Sequence, residues 1–88
     1  MRIDKFLKVA RVIKRRVLAK EAIEKNRVYI NDKLAKPSHE VNIGDTVEVK
    51  MHHFYLKFQI NSLLQPNPKR DDGPMITVLE EKDETIDA

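Results

Sequence analysis

From Lys5 onward the apolar residues return at helical spacing. On a wheel of about 100° per residue, Phe6, Val9, Ala10 and Ile13 fall on one side while Lys8 and Arg11 lie nearly opposite. The pattern predicts an amphipathic helix beginning at Lys5, with Asp4 as its N-cap. A second helix is predicted from about Arg16 to Lys25. Leu18, Ala19, Ala22 and Ile23 form its core stripe, and Arg16 and Lys20 sit one turn apart off that stripe. Asn26 marks its end, because asparagine tolerates the left-handed backbone that a helix stop often needs. The two helices make a short hairpin with a basic shoulder.

Beyond Asn26 the period changes to two. Val28 and Ile30 flank Tyr29, Asn31-Asp32 reads as a tight turn before Leu34, and Lys36-Pro37-Ser38 interrupts the pattern. Val41 and Ile43 lead to the Gly44-Asp45 turn and a strand over Thr46 to Lys50, with Val47 and Val49 facing inward. Phe54, Leu56, Phe58 and Ile60 alternate with Tyr55, Lys57 and Gln59, the clearest strand in the chain. The expected architecture is α+β, a short helix pair packed on a small, mostly antiparallel sheet. Its expected divisions are a domain at 1–64, a proline-rich loop at 65–74, one further strand at 75–80 and an acidic, frayed tail at 81–88.

Composition narrows the function. The chain has 88 residues, room for one small domain that buries roughly 60% of its unfolded surface and has no space for a deep enzymatic cleft. Cysteine is absent, which removes disulfides and thiolate metal cages. MRIDKFLKVARV is too charged for a secretory signal, and no run of about 18 apolar residues occurs, so a cytoplasmic location without a membrane anchor is expected. The net charge of +3 conceals a division: residues 1–36 carry 12 Lys or Arg against 4 Asp or Glu, a formal +8, and the remainder carries 5 against 10, a formal −5. A polyanion, most often nucleic acid, is the partner such a first half implies.

The segments "RIDKFLKVARVIKRRVLAKEAIEKNRVYIN", "AKPSHEV" and "GDTVEV" resemble the RNA-binding domain named after ribosomal small-subunit protein four. The resemblance covers residues 2 to about 50 and implies that the helix pair and the following turn form the RNA-binding surface. With no room for a catalytic domain, the chain looks like a stand-alone member. Arg15-Arg16 followed by "LAKE", together with the short tail, is most similar to members acting in ribosome-associated quality control. That likeness implies docking on the large ribosomal subunit, on rRNA and retained peptidyl-tRNA, in support of C-terminal alanine tailing by an RqcH-like tailing factor. A heat-shock relative that binds similarly obstructed subunits is the nearest alternative.

One departure from the family pattern concerns the residue before the second helix, usually a capping Ser and here Arg15. Losing such a cap costs about 1 kcal/mol, and a cation sits badly at the positive end of a helix dipole. A phosphate bonding both the free amides and the guanidinium explains why Arg15 stands there. The expected RNA-binding residues are Arg2, Lys8, Arg11, Lys14, Arg15, Arg16, Lys20 and Lys36, with a bend between the helices converging Arg11 on Arg15 and Arg16. Arg suits the task because its planar fork grips two phosphate oxygens or stacks on a base. Tyr29 and Tyr55 are the candidates for stacking.

Other readings compete. Charge-rich helix faces are commonly solvated surface, and Lys5, Lys25 and Lys33 are read as solubilising. His52 and His53 are adjacent, would point to opposite faces of a strand, and His39 is isolated, so no metal site is expected. Ser38 has no evident base, and two glycines make no phosphate loop, so the chain is read as non-enzymatic and without a cofactor. A DNA-binding helix-turn-helix would need outward Asn or Gln on its recognition helix, where residues 16 to 25 present charges. A third alternative is a strand edge around 54 to 60 that pairs with another chain.

Overall fold

The computed structural model describes residues 1–64 and 73–83. Two helices, α1 (Ile3–Val9) and α2 (Arg16–Glu24), pack on five strands: β1 (Val28–Ile30), β2 (Lys33–Leu34), β3 (Thr46–Lys50), β4 (Phe54–Ile60) and β5 (Ile76–Asp83). The strand order is β2-β1-β3-β4-β5, with every neighbouring pair antiparallel. This is the expected α+β architecture. The proline-rich stretch from 65 to 72 and the tail from 84 lie outside the described residues, and β5 runs on through Asp83, three residues beyond the expected strand. No helix among the described residues is long and apolar enough to cross a membrane.

The core lies between the helix layer and one face of the sheet. Alternation puts Val28, Ile30, Val47, Val49, Phe58 and Ile60 on that face, all buried. The helices contribute Ile3, Phe6, Leu7, Ala19, Ala22 and Ile23. Phe6 stacks on Phe58 with ring centroids 6.2 Å apart and planes 19° from parallel, joining the two layers. Leu18 departs from expectation: it is 47% exposed. With α2 turned so that Ala19, Ala22 and Ile23 meet the sheet, Leu18 falls at the edge of the contact.

The turns follow their residues. Asn31 and Asp32 both have positive φ, 50° and 69°, as a two-residue hairpin loop of the I′ kind requires. Asn31 Oδ1 accepts the Thr46 amide at 2.9 Å, and its Nδ2 donates to Asp45 at 3.1 Å, so two turns brace each other. Asp45 also accepts the Asn42 amide at 2.8 Å, and Gly44 takes φ 96°. His52 and His53 lie in the turn between β3 and β4 rather than on a strand, and their rings meet edge to face, 5.2 Å apart.

The strand at 54 to 60 is no edge. β4 pairs with β3 on one side and β5 on the other, which withdraws its backbone from any outside chain.

Candidate nucleic-acid interface

The interface starts with the way the chain's first residues are held. Arg2 forms an isolated antiparallel bridge with Glu40, and the Ile3 amide donates to the His39 carbonyl at 2.8 Å. The Val41 amide donates to the Met1 carbonyl at 3.0 Å. These bonds fix Arg2 in extended backbone at the N-cap of α1. Its guanidinium reaches Asp4 Oδ2 at 3.1 Å, and its Nε lies 3.5 Å from the Pro37 carbonyl, next to Lys36.

Asp4 is therefore not the cap that its sequence position suggests. It is the second residue of α1, with its side chain only 3% exposed. A carboxylate buried this deeply needs partners. It finds the Lys5 amide at 2.8 Å, Arg2 on one oxygen, and Arg16 Nη2 at 3.5 Å on the other. One buried carboxylate thus clasps two guanidinium groups from different elements, whose own side chains remain 45% and 49% exposed. Each guanidinium has five N–H donors, so holding Asp4 leaves donors turned to solvent.

Arg15 occupies the N-cap of α2 with extended backbone, φ −131° and ψ 141°, and no side chain caps the helix. Arg15 is itself exposed, and among the described residues no side chain accepts from the opening amides of α2. Lys20, one turn along α2, and Lys14, in the linker, are exposed as well. Lys8 is exposed in the last turn of α1. Arg11 borders a hollow shared with Phe54, Leu56, Ile76 and Glu81, on the side of the helix pair that faces β4 and β5.

Both helices end in the same way. In α2 the Asn26 amide donates to the Ile23 carbonyl and the Arg27 amide to Ala22, with Asn26 at φ 61°. In α1 the Arg11 amide donates to Lys8 and the Val12 amide to Leu7, with Arg11 at φ 61°. These are Schellman stops, which favour Gly or Asn in the left-handed position. An arginine there carries a strain of about 1 kcal/mol. Arg11→Gly is accordingly expected to raise stability by about 1 kcal/mol in urea titration while lowering RNA affinity, because the same change removes a cation.

The two tyrosines lie on the sheet face opposite the helices, and each is engaged. Lys50 Nζ sits 4.5 Å above the Tyr29 ring. Tyr55 donates to Glu48 at 2.7 Å, and that hydrogen bond, followed by desolvation and the Glu48 charge, pushes its pKa up to about 12. The hydrogen bond favours the protonated phenol, so its stabilisation is complete below pH about 10 and is lost as pH rises toward 12. In a Tyr29→Phe background, Glu48→Gln is expected to return Tyr55 toward 10, read by ultraviolet absorbance against pH.

Comparison with known proteins gives this surface its family. The S4 domain model matches residues 1–47. A curated relative from Bacillus subtilis, the RQC P-site tRNA stabilizing factor, is 43% identical over 82 residues, covering 93% of this chain and 95% of its own. Relatives of the same name from Streptococcus pneumoniae and Helicobacter pylori strain J99 are 37% identical over 92% of both chains and 40% identical over 74% of both. Among solved structures, Vibrio cholerae Heat Shock Protein 15 superposes with a TM-score of 0.76 at 28% identity, covering 89% of this chain and 80% of that one. The matched S4 region contains Arg2, Asp4, Arg11, Arg15 and Arg16, and the relatives are alike over nearly the whole length: the chain belongs to the S4 domain proteins of the RQC P-site tRNA stabilizing factor family.

Proposed function

We propose that this protein is a non-catalytic RNA clamp on the large ribosomal subunit, where it docks on rRNA and on a retained peptidyl-tRNA during ribosome-associated quality control. The observation that carries the reading is the clasp in which one buried carboxylate holds Arg2 and Arg16 in place with half of each side chain open to solvent. Arg15 at the uncapped start of α2 extends the surface, since a phosphate there bonds amides and guanidinium together. Lys8, Lys14, Lys20, Lys36 and Arg11 widen the cationic field. The relatives' name supports a tRNA in the P site as one ligand.

Function follows from selective affinity. A protein that binds one arrangement of tRNA and rRNA more tightly than others raises the population of that arrangement. Held in place, the peptidyl-tRNA remains available to an RqcH-like factor adding C-terminal alanine. The likeness to Heat Shock Protein 15 favours a second reading, general recycling of obstructed subunits.

Co-sedimentation with purified large subunits, with and without a P-site tRNA, tests both. Tighter binding to tRNA-bearing subunits is expected, with a slope of log affinity against log salt of roughly −3 for about four phosphates. Equal binding to the two kinds of subunit transfers the assignment to recycling. Preference for duplex DNA over both abandons it.

A further inference from the structure

A groove of about 490 Å³ opens between the helix linker, α2 and the turn joining β3 to β4. Its floor is apolar, from Val12, Ile13, Leu18, Ala22, Met51 and Phe54. Here lies the reason Leu18 is half exposed: it faces the groove instead of the sheet. Lys14, Arg27, His52 and His53 stand around the floor. Among the described lining residues the one carboxylate, Glu21, is bonded by Lys25 at 2.8 Å, so this part of the rim is cationic.

We infer that this groove receives a single unpaired RNA base, with the phosphates beside that base lying on Lys14 and Arg27. The inference rests on the RNA-binding reading above and adds a second contact to it. Three observations favour a base over a protein helix. The volume is that of small-ligand pockets, about 300–1,000 Å³, whereas a docked helix needs a long groove for anchors over two turns. Phe54 and the two imidazoles offer stacking surfaces of the kind on which splayed-out bases rest. Lys14 on the rim directly precedes Arg15 and Arg16 in the chain, so the groove begins one residue from the shoulder proposed to hold phosphate.

The test uses three RNA hairpins that differ at one position: fully paired, carrying a single bulged 2-aminopurine, or carrying an abasic bulge. Anisotropy gives affinity, and 2-aminopurine fluorescence reports stacking. The bulged base is expected to bind about 10-fold more tightly than the other two hairpins, with its fluorescence quenched. Leu18→Ser and His53→Ala change exposed side chains, and each is expected to erase most of that preference while leaving the paired hairpin bound as before. Equal affinity for all three hairpins, an abasic bulge as good as the base, or a preference that survives both substitutions overturns the base pocket and leaves the RNA reading standing. No binding of any hairpin overturns both.

Discussion

Arg16→Ala is expected to weaken binding to the large ribosomal subunit by about 10- to 100-fold while leaving the fold intact. Hydrogen bonds to charged groups contribute about 1.5–3 kcal/mol each, and each 1.4 kcal/mol is tenfold. The stability change should stay below about 1 kcal/mol, because the guanidinium is half exposed and Arg2 remains on Asp4. Arg16→Lys restores charge without the planar fork and is expected to recover only part of the affinity. Co-sedimentation paired with thermal unfolding makes the distinction. Wild-type affinity in Arg16→Ala would remove the clasp from the binding surface.

The second large effect sets geometry against charge. Asp4→Ala makes the protein more positive by one unit, so long-range attraction alone predicts tighter binding to RNA. The clasp predicts the opposite. Without the buried carboxylate, the Lys5 amide loses its acceptor and two guanidiniums lose the group that orients and neutralises them. Binding is expected to fall about 10-fold, the equivalent of roughly 1.4 kcal/mol. Stability is expected to fall by about 2 kcal/mol, discounted from the 3–5 kcal/mol of a fully buried pair because both arginines reach water. That lowers Tm by roughly 10 °C in a domain of this size. Increased affinity in a folded Asp4→Ala protein would mean that net charge, not placement, drives binding.

Much of the scaffold was legible where side-chain chemistry alone dictates the backbone. Asn26 ends α2, Asn31-Asp32 and Gly44-Asp45 turn the chain, and alternation over 54 to 60 identifies β4. The end of α1 was not legible, because its left-handed position holds Arg11 instead of a residue that favours it. Leu18 belonged to the helical stripe by spacing, but only the tilt of α2 on the sheet decides what its edge meets. At the interface the cationic residue types could be read in order, whereas the clasp could not: Asp4 and Arg16 are 12 positions apart and meet only through tertiary packing. The groove was illegible for the same reason, since His52 and His53 share it only because they occupy a turn.

The borders of the sheet carry a consequence of their own. β2 spans two residues, and β5 bears Glu80, Glu81 and Lys82 and pairs with β4 across a register shift at Lys57/Phe58. Short, charged or kinked borders refuse to template a neighbour. Among the described residues, both borders of the sheet are therefore poor templates for a strand added from another molecule.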